Sequence, residues 1–152
     1  MQMDSLAKAS LSQIREVFKN LDPVSEELRQ GFFRASFIGP WWLRVSAMPS
    51  IALSGLGGWQ GKKFLDPFHA TNIIQNKQGV SEKLHMRCSA VTSLIDGKRS
   101  VALQYRDDAV VPWRWVIDEM RTLDQNTFLC MTVINLPVLK HFSFPFILSR
   151  ES

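Results

Sequence analysis

The chain has 152 residues, 45% of them hydrophobic, and a formal net charge of +4. This length suits a single domain with one core, and the apolar runs are too interrupted for a membrane helix, which needs ~20 apolar residues. The 18 basic residues are scattered among 14 acidic ones, so we expect no nucleic-acid binding.

The N-terminal segment, residues 1–30, is predicted to form helices that pack on the remainder of a single domain. Four apolar residues recur at spacings of three and four and therefore share one helical face: Leu11, Ile14, Phe18 and Leu21. Asp22 is predicted to cap a short second helix that begins at Pro23 and ends at Gly31. The first residues lack the apolar region of a secretory signal, so we expect a cytoplasmic location.

Residues 31–152 are predicted to be mainly β-strands. Apolar and polar residues alternate, as where Leu84, Met86 and Cys88 follow every second position, and Asp96-Gly97 indicates a tight hairpin turn. Further strands are predicted at 113–123, 127–134 and 142–150. Sequential antiparallel pairing of about eight strands predicts a closed antiparallel β-barrel whose interior can hold one small ligand. The alternative is a half-open sheet wrapped on a helix.

The segment around Trp59 is rich in glycine. Gly58 and Gly61 allow the backbone to bend sharply beside a large ring, which is typical of a strand in a small barrel. Gln60 replaces the third glycine of a dinucleotide fingerprint, and Lys63 replaces the hydroxyl residue of a phosphate-binding loop. We therefore expect these glycines to serve the bend, and we expect no nucleotide cofactor.

The chain contains a series of spaced motifs: Gly31-Phe32-Phe33-Arg34, Gly58-Trp59-Gln60-Gly61-Lys62-Lys63-Phe64, Tyr105-Arg106-Asp107, Ile117-Asp118-Glu119-Met120-Arg121, and Asp124. Together these segments resemble the GXWXG family with its companion domain of unknown function. The first of these is a degraded form of the motif that names the family. The resemblance implies a small lipocalin-like or calycin-like barrel and implies no established biochemical role. It also draws attention to Asp118 and Arg121 through an Asp-x-x-Arg pattern.

The histidines and cysteines do not have the spacing of metal ligands. His69, His85 and His141 are far apart in the sequence, as are Cys88 and Cys130. We expect no metal site, and we expect both thiols to be reduced and buried. Among the histidines, His69 is the candidate for the mouth of a cavity.

The predicted strand 113–123 carries charge on both of its faces. One face has Trp113, Trp115, Ile117, Glu119 and Arg121, and the other has Arg114, Val116, Asp118 and Met120. If the first face is inward, Glu119 and Arg121 are buried together; otherwise Asp118 lies in apolar surroundings. A buried carboxylate can act as an acid or base near neutral pH, and the structural alternative is an ion pair at the rim.

These patterns predict a barrel that binds a small apolar or amphipathic molecule without a cofactor. The predicted wall consists of Phe33, Phe37, Trp59, Trp113, Trp115, Phe128 and Phe144, and the predicted polar anchors are Lys62, Tyr105, Asp118 and Arg121. One alternative is a cofactor-free isomerase, cyclase or lyase in which Asp118 or Glu119 moves a proton. Another is an interaction protein, a homodimer that pairs through Trp41, Trp42 and the edge around Phe142.

Overall fold

The computed structural model describes residues 3–151, with the side chains of residues 5–151. Eight strands form the body of the molecule: β1 Gly31–Phe37, β2 Trp59–Asp66, β3 His69–Asn76, β4 Gly79–Thr92, β5 Arg99–Tyr105, β6 Val116–Asp124, β7 Thr127–Ile134 and β8 Ser143–Arg150. Each strand pairs antiparallel with the next, and β8 pairs with β1 to close the barrel. The predicted antiparallel barrel of about eight strands is confirmed.

In the described residues, three α-helices accompany the barrel: α1 Met3–Ala7, α2 Leu11–Lys19 and α3 Trp41–Ile51. Short 3₁₀ turns occur at Glu26–Leu28, Trp113–Trp115 and Leu139–His141, and α3 continues into a π-helical turn at Ala52–Leu56. Across residues 3–151, no helix has the length and apolar character needed to cross a membrane.

Helix α2 packs on the outer surface of the barrel. Its first turn is fixed by a capping box, in which Ser10 and Gln13 each accept a hydrogen bond from the other's backbone N–H. Ile14 and Phe18, from the predicted apolar face, are fully buried. They belong to a cluster with Leu129 and other outward residues of β7 and β8. The outer side of this part of the sheet is therefore a second, smaller core.

The predicted second helix is wrong in its start and its end. Pro23 pairs with Arg121 of β6 as an isolated bridge, and Ser25 precedes the 3₁₀ turn, whereas Gly31 begins β1. The bridge forms because Asp22 O accepts a hydrogen bond from Thr122 N at 2.9 Å, which extends the backbone where a helical cap was expected.

One end of the barrel is closed by the segment that follows α2. Val24 is fully buried against the interior, and Arg29 Nη1 donates to Pro67 O, in the turn between β2 and β3, at 3.1 Å. Above this segment the ring of Phe33 contacts those of Phe64 and Phe128, with centroids 5.8 and 4.5 Å away. The interior at this end is filled by aromatic packing.

Glycine permits the close contact between β1 and β2. A Cβ atom on Gly61 would collide with the carbonyl oxygen of Phe33 and lie 3.0 Å from Ala35 N. The register of β2 against β3 shifts between Trp59 and Gly61, and this bulge turns the Trp59 ring into the interior. The predicted bend beside Trp59 is therefore present, and it brings this ring toward the other end of the barrel.

Candidate functional site

A cavity of about 380 Å³ occupies the half of the barrel beneath α3. Its walls are mostly apolar or aromatic side chains from the strands and from two adjoining turns: Phe37, Leu56, Trp59, Trp113, Val116, Ile134, Phe144 and Phe146. Polar side chains gather at its inner end: Lys62, Asn72, Tyr105, Asp118 and Thr132. The cavity thus has apolar sides, a polar base and a helix across its mouth.

Helix α3 covers the cavity with one face. The lining positions repeat every four residues, as in Leu43, Ala47 and Ile51, which is the spacing of one helical face. Ser50 and Ser54 also line the cavity, but their hydroxyls donate to the helix carbonyls four residues earlier, at 2.8 and 3.0 Å. The hydroxyl protons are therefore satisfied within the helix.

The covering helix is lightly attached. None of its residues is buried, and Pro49 stands inside it without an N–H donor. At its far end, Trp113 Nε1 donates to Ser54 O at 2.6 Å, and Lys83 Nζ donates to Gly55 O at 3.0 Å. Few buried contacts and an interrupted helix are typical of an element that opens at low free-energy cost.

The polar base is a ring built from six consecutive strands. Each of β2 to β7 contributes one inward side chain near the same level: Lys62, Asn72, Met86, Tyr105, Asp118 and Thr132. The ring forms because the side chains of a strand alternate between its two faces, so that one position per strand reaches this height.

Lys62 lies at the centre of this ring. Its Nζ atom is 3.2 Å from Asp118 Oδ2, 2.9 Å from Asn72 Oδ1 and 3.3 Å from Tyr105 Oη. Burial by itself lowers the pKa of the Lys62 ammonium, but the oxygens of Tyr105 and Asp118 more than offset it, so this pKa is raised. Lys62 is thus a cation at neutral pH, paired with the carboxylate across the lumen.

Two neighbours complete the ring's hydrogen bonds. Thr132 Oγ1 donates to Asp118 Oδ1 at 2.7 Å, and Trp59 Nε1 donates to Asn72 Oδ1 at 3.0 Å. Asn72 Nδ2 donates to Leu84 O, at a bulge where Leu84 takes a positive φ of 60°. The bulge therefore directs a backbone acceptor at the Asn72 amide.

Burial raises the pKa of the Tyr105 hydroxyl, because the side chain is enclosed at the base of the cavity, away from water. The hydroxyl therefore keeps its proton at neutral pH. Tyr105 also contacts the ring of Trp113, with the two centroids 5.5 Å apart, so its orientation is fixed by packing as well as by hydrogen bonds.

The predicted strand 113–123 begins three residues later than expected. Residues Trp113–Trp115 form a 3₁₀ turn, so the alternation starts at Val116 and cannot be extended back to the two tryptophans. Asp118 then faces the cavity, whereas Glu119 and Arg121 face outward beneath α2. Of the two arrangements that the sequence left open, the one with Asp118 inside is observed.

Arg121 is not in the cavity but in a buried ion pair outside the barrel. Its guanidinium donates to Asp96 at 2.6 and 2.9 Å and to Phe18 O at 2.9 Å, and it lies 4.3 Å over the Phe18 ring. Glu119 accepts a hydrogen bond from Leu94 N at 2.9 Å, while its Oε1 has no partner among the described residues. These two side chains secure the β4–β5 loop and α2, and neither lines the cavity.

The remaining predicted site residues divide between three places. Phe37, Trp59, Trp113 and Phe144 line the cavity, as expected of a wall. Phe33 and Phe128 are packed at the closed end. His69 and Trp115 border a second groove of about 700 Å³, called the outer groove below, whose lining also includes Tyr105 and Val116. There His69 pairs with Asp66 at 3.0 Å.

The outer groove is larger than the cavity but is the weaker candidate site. Its rim is polar and exposed, and its charges are partly neutralised by local pairs such as Arg106 with Asp108 at 3.1 Å. Within residues 5–151, no group of three or more His, Cys, Asp or Glu side chains is arranged to hold a metal ion. The buried ring of polar side chains at the base of the cavity is therefore the stronger candidate for a functional site.

Sequence reasoning missed Asn72, Thr132 and the helix α3. Asn72 lies between Ala70 and Ile74 among the alternate residues of β3 that face the interior. A polar residue in this otherwise apolar series is the signal that would have identified it. Thr132 has the same position between Cys130 and Ile134 on β7. Helix α3 was missed because Pro49 lies inside it, and a proline within a pattern indicates the end of a helix.

The comparisons with known proteins support the fold. No protein-family model matches the chain, and a comparison with curated proteins gives no significant match. A crystal structure of a protein from Thermomonospora curvata is similar, with a TM-score of 0.74 at 20% identity, over 99% of this chain and 93% of that one. At this identity the likeness shows the barrel fold alone, and the resemblance to the GXWXG family stays a prediction.

Proposed function

We propose that the protein binds a small apolar or amphipathic molecule inside the barrel. The observation that carries this proposal is the cavity of about 380 Å³, with apolar walls and a few convergent polar groups at its base. Ligand sites in proteins typically enclose about 300–1,000 Å³ and combine apolar lining with a small number of placed polar groups. Transfer of an apolar molecule from water to a site between these walls lowers the free energy.

Helix α3, called the lid from here on, favours the same function. A cavity that is covered by α3 shields an apolar ligand from water, while the light attachment of α3 leaves a route for exchange. The covering face also adds little polarity, because Ser50 and Ser54 donate within the helix.

Cavity filling tests the proposal. In Ala47→Trp an indole is placed at a lining position of α3, whereas Val45→Trp places the same group at a position that is 69% exposed and does not line the cavity. Titration with the neutral fluorescent probe N-phenyl-1-naphthylamine should show binding to the native protein and to Val45→Trp, and much weaker binding to Ala47→Trp. Equal binding by the two variants would place the probe elsewhere and overturn the proposal.

A cofactor-free enzyme is the second candidate function. The observation in its favour is Asp118, a carboxylate whose residue is 3% exposed and which lines the cavity on the strand next to that of Tyr105. In an isomerase or lyase, Asp118 would take a proton from a bound substrate while a hydroxyl stabilises the developing negative charge. Asp118→Asn is then expected to abolish turnover and to retain probe binding, and intact turnover would exclude Asp118 as the base.

The homodimer remains a separate prediction. Trp41, Trp42 and Phe142 are 69%, 48% and 54% exposed. The two tryptophans begin α3, and Phe142 directly precedes β8, whose Phe144 lines the cavity beneath α3. Exposed aromatic residues of this size are common in protein interfaces. Sedimentation equilibrium of the native protein and of Trp41→Ser tests this expectation independently of ligand binding.

A further inference from the structure

The hydrogen bonds of the ring assign a direction to the hydroxyl of Tyr105. Its Oη atom accepts from Lys62 Nζ at 3.3 Å and from Asn72 Nδ2 at 3.1 Å. A tyrosine hydroxyl has one proton to donate, and an ammonium group and an amide NH₂ offer donors only. Among the described residues, no acceptor receives the Tyr105 proton, although the side chain lines the cavity.

The orientation of Asn72 supports this direction. Its Oδ1 atom receives hydrogen bonds from Trp59 Nε1 at 3.0 Å and from Lys62 Nζ at 2.9 Å, and both of these groups can only donate. The amide oxygen must therefore face them, and the NH₂ group must face Tyr105 and Leu84 O. Reversing the amide would place donors against donors at two contacts.

The charges of the ring disfavour one common class of ligand with a long apolar chain, the fatty-acid anions. Lys62 and Asp118 are 2% and 3% exposed and compensate each other at 3.2 Å, so the base of the cavity has no net charge from this pair. The carboxylate of a bound fatty acid would be buried and would need a cationic partner. The ammonium of the ring, that of Lys62, is already paired with Asp118. The site therefore disfavours fatty-acid anions.

We propose that the ligand is a neutral apolar molecule with a hydrogen-bond-accepting oxygen of the aldehyde, ketone or ester type, held by the hydroxyl of Tyr105. This inference rests on the proposed binding function and specifies the chemical class of its ligand. Lys62 and Asn72 donate to the same oxygen, which polarises the hydroxyl and makes it a stronger donor toward the ligand. The apolar remainder of the ligand lies along the aromatic walls toward α3.

Three molecules of equal chain length test the inference. Undecane, 2-undecanone and undecanoate each compete with N-phenyl-1-naphthylamine at pH 7.5, and their dissociation constants are compared. The ketone is expected to bind roughly three- to tenfold more tightly than the alkane, which is the effect of one net hydrogen bond. Undecanoate is expected to bind more weakly than the ketone.

The substitution Tyr105→Phe keeps the aromatic side chain and removes its hydroxyl group. In this variant the ketone should lose its advantage over the alkane, while undecane itself should still bind, which shows that the cavity is intact. An infrared spectrum of bound 2-undecanone gives a second readout, because its carbonyl stretch should shift to lower frequency in the native protein and less in Tyr105→Phe.

The outcomes separate this inference from the binding proposal. If undecanoate binds best, if undecane binds as well as the ketone, or if the ketone's advantage survives in Tyr105→Phe, the assigned ligand class is overturned and binding in the cavity stands. If neither the probe nor any of the three molecules binds the native protein, the proposed function itself fails.

Discussion

Lys62 Nζ lies 3.2 Å from Asp118 Oδ2, although the two residues come from β2 and β6, which are separated by three strands in either direction around the barrel. The pair therefore spans the lumen and ties opposite walls together. Breaking a buried ion pair by removing one partner leaves an uncompensated charge and typically costs about 3–5 kcal/mol.

The first prediction concerns this pair. Lys62→Met should lower the free energy of unfolding by about 3–5 kcal/mol, because it leaves the Asp118 carboxylate buried without its counterion. The double variant Lys62→Met/Asp118→Leu should recover most of that loss, since both charges are gone. Urea denaturation of the two single variants and the double variant gives the coupling energy, and strict additivity would contradict a direct pairing.

The second prediction concerns acid stability. Hydrogen bonds from Arg121 hold the pKa of Asp96 well below its usual range. Because the folded-state pKa lies below the unfolded value of ~3.9, this stabilisation is present above about pH 4 and is lost as the pH falls further. Asp96→Asn should therefore be less stable than the native protein at pH 7, and the difference should shrink below pH ~4.

Asp108→Asn is the matched control for this acid effect. Asp108 pairs with Arg106 at 3.1 Å, but its side chain is 73% exposed. Removing such a surface pair should change the free energy of unfolding by less than ~1 kcal/mol, with little dependence on pH. A similar loss in both variants would show that the Arg121 contact is no stronger than a surface pair.

The third prediction concerns the two cysteines. Cys88 and Cys130 are buried and unpaired, and burial raises the pKa of Cys88 to about 11 and that of Cys130 well above its ordinary value. Since the thiolate is the reactive form, neither should react with Ellman's reagent at pH 8 in the folded protein. Both should react in urea, and an added thiol at the exposed position in Ser81→Cys should react at once. Rapid labelling of the native protein would indicate that the interior opens.

The fourth prediction compares two glycines. In Gly61→Ala the new methyl group collides with the backbone of β1, whereas in Gly97→Ala it meets nothing within 4 Å and the cost comes from a positive φ of 72°. Gly97→Ala should cost about 1–2 kcal/mol. Gly61→Ala should cost clearly more, because backbone atoms must move. Urea midpoints decide between them, and equal losses would argue against the close approach of β1 and β2.

The fifth prediction concerns exchange through the lid and rests on the proposed binding. Trp113→Phe removes the hydrogen bond to Ser54 O, so α3 should open more readily and the probe should dissociate up to roughly tenfold faster. Trp115→Phe is the matched control, since this ring borders the outer groove. Stopped-flow displacement measures both rates, and an unchanged rate in Trp113→Phe would mean that ligands leave by another route.

The strand regions could be predicted because alternation of side chains is a local property. The inward face of β6 could not, because α2 buries its outward side as well: Asp118, Glu119, Met120 and Arg121 are all buried, so hydrophobicity along the strand does not indicate the interior. The 3₁₀ turn at Trp113–Trp115 was assigned to a strand because aromatic residues favour strands. The bulge at Leu84, which orients Asn72, depends on a long-range register that no local pattern reveals.

The segment after α2 and the Phe33 cluster close one end of the barrel. If the protein binds a ligand as we propose, the ligand enters and leaves through the opening beneath α3. The end that contacts Tyr105 would then enter first and leave last, and a chain longer than the cavity would protrude past α3. Under this proposal, selection by length takes place at α3 and selection by chemistry takes place at the base, so substitutions can alter each without the other.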